Sequence, residues 1–314
     1  MLAVVTHREC QLHDNGPGHP ENARRLEAVS DQLLMSGLEF SLSFFDAPLA
    51  TVAQLTRAHG YKYAESVLSM AGREDTLEID PETFVSAKTL PAALRAAGAG
   101  VLGVDLIMNG KAGPVFCAVR PPGHHAQRAR GMGFCIFNNI AVAACHALSE
   151  YGIERIAVAD FDAHHGNGTE DIFADDGRVL LCSTFQHPFY PHTGEASETG
   201  SLVNVPLAAG TGGAGFRQAV SEHWLPALAA FRPELVLVSA GFDGHGLDEM
   251  TDLRLDESDF AWVTERLYEV AKTHAGGRLL SMLEGGYEPG ALARSVANHL
   301  KALLGNAAPA GVVS

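Results

Sequence analysis

Four apolar runs, each emptying into a stretch rich in glycine and titratable residues, constrain this chain more than any other feature. Residues 115–119 lead into Arg120-Pro-Pro-Gly-His124-His125, and residues 156–159 lead into Asp160-Phe-Asp162-Ala-His164-His165-Gly-Asn167. Residues 235–239 lead into Ala240-Gly-Phe-Asp243-Gly-His245, and residues 279–283 into Glu284-Gly-Gly-Tyr287. Short, continuous apolar runs suit strands buried on both faces, which is the environment of a parallel sheet. Ligands of open α/β sheets bind outside the carboxyl ends of the strands. If the four strands are parallel, all four polar segments open on one rim.

Between the strands lie segments of helical spacing, over residues 138–151, 213–231, 257–274 and 289–304. Asp256 is placed to cap the third, and Pro289 falls in the first turn of the fourth. Residues 20–35 read as a helix opened by Pro20. Residues 82–108 read as a helix interrupted near Pro91, whose ring and missing N–H break the hydrogen-bond ladder. The alternation predicts one α/β domain over residues 1–314, three layers deep (α/β/α) around a mainly parallel sheet, with 306–314 a frayed tail.

No apolar run reaches the ~18 residues of a membrane span, and the first residues are too short an apolar stretch for a secretory signal. A soluble, cytoplasmic protein is expected. The net charge of −15 disfavours a nucleic-acid binder, because phosphate contacts need a basic surface. It suits a cationic substrate, a lysine-rich segment or a polyamine, although acidic surfaces also simply maintain solubility. Five cysteines with no CxxC indicate neither a disulfide framework nor a cysteine zinc site. Cys117 reads as core. A homo-oligomer is compatible with the sequence.

Asp162 and His164 alternate as i and i+2, so on extended chain both side chains face one way and can reach one ion. Asp243, past another strand of the same rim, is the candidate third ligand. Three ligands with an open position describe a catalytic zinc site, although iron or cobalt also accept such donors. His165 has the wrong parity and is expected to brace the loop, and His187, His192 and His245 are read as loop residues.

RPPGHHA, GFCIFNN, DFDAHHGNG, SAGFD and LEGGY, in that order over most of the chain, resemble the zinc-dependent histone deacetylase superfamily and its arginase-deacetylase fold. Asn167 and the GPGHPEN segment around His19 resemble the class II branch and its bacterial amidohydrolases. The resemblance implies Asp162, His164 and Asp243 as zinc ligands, and His124 and His125 as tandem catalytic histidines partnered by Asp160 and Asn167. It implies Tyr287 as the group polarising the substrate carbonyl. Phe134 and Tyr190 would line the acyl-lysine tunnel, flanked by Gly133 and Gly286, and Arg25 would lie near an internal acetate channel. A structural K+ or Na+ would have Asp160 and Ser183 among its ligands.

Tyr190 stands where phenylalanine is usual, and Glu249 replaces a proline. Met250 occupies the substrate-selecting position, where glutamate marks polyamine preference. Gly166 and Gly241 stand where the arginase branch carries second-metal aspartates, so one metal is implied. The expected activity is removal of acetyl or other acyl groups from lysine in proteins or peptides. An acetylpolyamine or small-amide hydrolase is the alternative, and an idle zinc-bearing binding protein is disfavoured by the intact Tyr287 and His125.

Overall fold

A computed structural model describes residues 1–305 apart from 74 and 196; the tail expected at 306–314 lies outside the described residues. The strands are β1 (Leu2–Thr6), β2 (Leu42–Asp46), β3 (Leu77–Asp80), β4 (Thr83–Val85), β5 (Val115–Cys117), β6 (Ile156–Asp160), β7 (Val179–Gln186), β8 (Ser197–Thr199), β9 (Leu202–Leu207), β10 (Leu235–Ala240) and β11 (Leu279–Leu283). The helices are α1 (Arg24–Met35), α2 (Val52–Ala58), α3 (Tyr61–Leu68), α4 (Thr89–Met108), α5 (Asn139–Tyr151), α6 (Asn167–Phe173), α7 (Gly213–Ala219), α8 (Leu225–Phe231), α9 (Glu257–His274) and α10 (Pro289–Leu303).

Nine strands form one sheet in the order β2-β1-β5-β11-β10-β6-β7-β9-β8, and only β8 runs antiparallel to its neighbour. The α/β fold with a mainly parallel sheet is therefore as the sequence implies. The four strands that end in polar segments, β5, β11, β10 and β6, are four consecutive neighbours. Every residue of these four strands is buried, so helices cover both faces. Their carboxyl ends open together at the centre of the sheet.

Local chemistry accounts for several element boundaries. Asn138 caps α5 by accepting from the Ala141 N–H at 3.0 Å, and Gly152 closes that helix in the left-handed region at φ +63°. Asp256 and Asp259 form a reciprocal capping box at the start of α9. The expected break near Pro91 does not occur. Pro91 lies in the first turn of α4, where a missing N–H costs nothing, and the residues before it form the β3–β4 hairpin instead of helix. The helix expected over 213–231 carries a π turn at Val220–Trp224. Pro226, just beyond, lacks an N–H and its ring crowds the carbonyl four residues back, which widens that turn.

α4 also amends the membrane expectation. By length and composition it passes for a spanning helix, yet 72% of its most apolar window is buried inside the fold. It packs against α5, β1, β5 and β11 as a core helix.

Two buried histidines carry a stability consequence. His59 accepts the Asn138 N–H at Nε2 (2.9 Å) and pairs Nδ1 with the Gln127 carbonyl (3.0 Å). His299 lies between the hydroxyls of Thr264 (2.6 Å) and Ser281 (2.9 Å), among Phe116, Phe161 and Phe242. Burial depresses His59 to about 4 and His299 to about 3. Unfolded histidine titrates near ~6.5, so below that pH the unfolded chain binds more protons. The stabilisation is complete above ~6.5 and is lost as pH falls towards the folded values. Denaturant titrations should show unfolding free energy dropping by about 1.4 kcal/mol per pH unit per histidine between about pH 6 and 4. His299→Gln should reduce that slope; an unchanged slope would remove His299 from the account.

Candidate active site

Three buried side chains meet where β6 and β10 end. The ligand atoms of Asp162, His164 and Asp243 all lie within 4.8 Å of one another. His164 Nδ1 stands 3.0 Å from Asp162 Oδ1 and 3.0 Å from Asp243 Oδ2. Backbone donors fix the carboxylates: Ala163 N–H to Asp243 Oδ1 (2.9 Å), Gly285 N–H to Asp162 Oδ2 (2.8 Å) and His164 N–H to Asp162 Oδ1 (2.9 Å).

The donor set suits a dication. Burial opposes ionisation of Asp162, yet His124 and His164 hold its carboxyl far below the usual range. Burial and the neighbouring Asp162 push Asp243 up to about 6, while Asp243 and Asp162 lift His164 to about 10 against its own burial. Two carboxylates crowded together in a dry site repel, and a divalent cation relieves that repulsion. One imidazole and two carboxylates with an open side are a catalytic zinc donor set.

Glycines let the loops close on these groups. A Cβ at Gly241 would come within 2.0 Å of Asp162 Oδ2, one at Gly166 within 2.2 Å of Asp160 Oδ2, and one at Gly285 within 2.2 Å of Asp243 Oδ2. Positions 166 and 241, the candidate places for second-metal ligands, thus have no room for any side chain.

The tandem histidines stand beside this cluster in different electrostatic settings. His124 Nδ1 is 3.0 Å from Asp160 Oδ2, and His125 Nδ1 is 2.7 Å from Asn167 Oδ1. Against the cost of burial, Asp162 and Asp160 raise His124 to about 10. Burial, with His124 and His164 nearby, drives His125 well below its ordinary value. These opposite shifts favour the neutral form of His125 and the protonated form of His124. Asn167 Oδ1 only accepts, because its amide nitrogen faces Met132 Sδ at 3.4 Å, so His125 carries its proton on Nδ1 and leaves Nε2 free to accept. The backbone of this loop is held by Glu284, whose Oε2 accepts from Gly123 N–H (2.6 Å) and His124 N–H (3.1 Å).

A narrow cavity of about 190 Å³ leads to the cluster. Its inner end is formed by His125, His164 and Tyr287, and its walls by Gly133, Phe134, Phe189, Tyr190 and Met250, with Glu82 at its edge. Phe134 sits at φ +68°, rare for an aromatic residue, and Thr83 Oγ1 holds it there by accepting its N–H at 3.0 Å. This places the Phe134 ring edge-to-face with Tyr287 at 5.8 Å, while Tyr190 meets His125 edge-on at 5.3 Å. Three larger clefts, of about 640, 860 and 470 Å³, lie among the described residues; the second reaches the other side of Tyr287 from the N-terminal loop, and the other two lie away from the cluster. Size does not decide between them: the small cavity alone unites apolar walls with the His–Asp cluster.

Tyr287 is approached from behind by Arg25, whose guanidinium lies 4.9 Å from the ring centroid. Arg25 donates to the Gly286 carbonyl at 2.6 Å and also to the Glu284 carbonyl. It shares the buried Glu21 carboxylate with Arg120, so an N-terminal loop is tied to the β5 and β11 ends. Burial holds the Tyr287 phenol well above its ordinary value, so it remains a hydrogen-bond donor.

A histone deacetylase domain model matches residues 19–303. The chain belongs to the histone deacetylase family. A probable deacetylase of Archaeoglobus fulgidus is 36% identical over 91% of this chain and 81% of its own length. A histone deacetylase-like amidohydrolase of Pseudomonas aeruginosa is 37% identical over 85% of this chain and 71% of its own. The crystal structure of the HDA15 HD domain superimposes with a TM-score of 0.92 at 32% identity, over 99% of this chain and 90% of the other. The family fixes the reaction class: hydrolysis of amide bonds by a deacetylase.

Within this family member, most residues singled out in the sequence converge on the cavity, and a few do not. Gly286 (φ +117°) lies behind Tyr287, where a Cβ would meet Leu292 at 2.8 Å, so it shapes the turn instead of a wall. Ser183 pairs with Asp160 across β6 and β7 and does not line the cavity. Glu249 is exposed and does not line the cavity. His165 bonds Thr193 (2.8 Å) and Glu170 (2.9 Å) on the far side of its loop. His245 accepts the Leu247 N–H at 3.1 Å within its own turn. Sequence reading gave no role to Glu284 or to the buried Asp248, because neither carries a spacing signal.

Proposed function

We propose that this chain removes acetyl, and more broadly acyl, groups from the ε-amine of lysine in proteins or peptides, with one zinc ion held by Asp162, His164 and Asp243. The narrow cavity ending on His125, His164 and Tyr287 carries this reading. When bound, zinc polarises the amide carbonyl and acidifies an attacking water. His125 Nε2 accepts the proton of that water and returns it to the departing lysine nitrogen, so that the amide C–N bond breaks to acetate and free amine. His124, cationic against Asp160, favours the negative charge that builds on the carbonyl oxygen. Tyr287 donates a hydrogen bond to the same oxygen. Phe134 and Tyr190 shield the methylene stem from water.

We also propose a K+ or Na+ on Asp160 and Ser183. The buried Ser183 Oγ has no hydrogen-bond partner among the described residues, which supports an ion there.

A second reading, an acetylpolyamine hydrolase, draws on the acidic Glu82 at the cavity edge. A human relative named polyamine deacetylase HDAC10 is 37% identical over 98% of this chain, which spans 48% of that protein. Met250, an uncharged wall residue, favours acyl-lysine. One panel of acetyl-lysine peptides, longer acyl-lysines and acetylpolyamines, run with and without chelator, tests both. Chelator-sensitive turnover highest on acetyl-lysine peptides is expected. Preference for acetylpolyamines would install the second reading, and turnover indifferent to a strong chelator would remove the metal.

A further inference from the structure

We infer that Asp248 is a positioning residue that sets the place of Tyr287 and the Met250 wall together through one buried carboxylate. This rests on the deacylase reading, since Tyr287 must act on a bound carbonyl for its placement to matter.

Asp248 is 6% exposed, among loops, and its hydrogen bonds among the described residues are to backbone N–H groups, with Arg25 acting on it through charge alone. Its two oxygens are divided between two segments of chain. Oδ2 accepts the N–H of Tyr287 at 2.5 Å and that of Glu288 at 3.1 Å. Oδ1 accepts the N–H of Met250 at 3.0 Å. Met250 and Tyr287 are both walls of the catalytic cavity.

The chain needs such an anchor here. Tyr287 follows Gly285 and Gly286, the latter at φ +117°, so nothing intrinsic to the backbone fixes the direction in which it leaves β11. Arg25 holds the carbonyl before Tyr287, and Asp248 holds the amides at and after it. The loop bearing Asp248 is itself fastened to the metal cluster, because Thr251 Oγ1 donates to the Asp243 carbonyl at 2.9 Å. A buried carboxylate accepting three backbone N–H groups is a rigid joint, and displacement of a reacting group by ~1 Å costs up to about 100-fold in rate.

The test is a double-mutant cycle of Asp248→Asn and Tyr287→Phe in the intact metal-loaded chain, assayed on its best acyl amide. Asp248→Asn keeps the shape but turns an NH2 towards one set of N–H donors. It should lower kcat roughly 10- to 100-fold, change KM much less, and leave metal content unaltered. In the Tyr287→Phe background the same substitution should cost less than about 3-fold, because the hydroxyl it positions is already gone. Equal losses in both backgrounds, or a loss confined to KM, overturn the inference while leaving the deacylase reading intact. A wild-type chain that hydrolyses no acyl amide overturns both. If Asp248→Asn does not fold, native hydrogen exchange of the wild type decides: slow exchange at Met250, Tyr287 and Glu288 supports the joint, and loop-like fast exchange at these amides refutes it.

Discussion

Replacing Tyr287 with phenylalanine is expected to lower kcat by about 100-fold or more while sparing metal content and thermal midpoint. The hydroxyl is the only atom removed. The ring keeps its edge-to-face contact with Phe134 and its place under Arg25, so the packing of the inner cavity is retained. In the proposed reaction what would be lost is a donor to the developing oxyanion, a contribution of about 3 kcal/mol in comparable dry sites. KM should move little, because the ground-state carbonyl is a weaker acceptor than the transition state. An unchanged kcat would mean that the negative charge is met elsewhere, and His124 would then be the remaining candidate.

Asp243→Ala is expected to give metal-poor protein, with affinity weakened by more than roughly 100-fold, since loss of a mere supporting group around such sites already costs 10- to 100-fold. The substitution also strips the Ala163 N–H of its acceptor, so some loss of thermal stability accompanies it. Asp243→Asn separates the two effects: the amide oxygen still accepts from Ala163, while the ligand charge is gone. Metal analysis after dialysis reads the result directly. Full occupancy in both variants would dissolve the three-residue ligand set.

The sequence displayed the site better than it displayed the surrounding structure, for a physical reason. Asp162 and His164 are visible through strand periodicity, and Asp243, His124 and Tyr287 through their position just beyond apolar strands. The sheet order then makes those four strands consecutive, which no local pattern encodes. Phe134 could be guessed as a tunnel wall only by resemblance. Its orientation depends on a positive φ and on a bond to Thr83, 51 residues away. Asp248 and Glu284 were silent for the same reason: each acts by accepting backbone N–H groups from a distant segment, and a carboxylate doing so resembles any loop acid in sequence. Pro91 opens a helix where the sequence suggests a break, because a proline that breaks a helix and one that begins it differ only in what precedes them.

The N-terminal strand has a practical bearing on where this protein can be cut. The match to the family's domain model begins at residue 19, but β1 lies between β2 and β5, and His13 and Cys10 offer their carbonyls to Arg120. An expression fragment trimmed to the similarity boundary would detach β2 and expose the ladder of β5 as a raw edge, a template for intermolecular pairing. Its insolubility would then report the missing strand and say nothing about the enzyme.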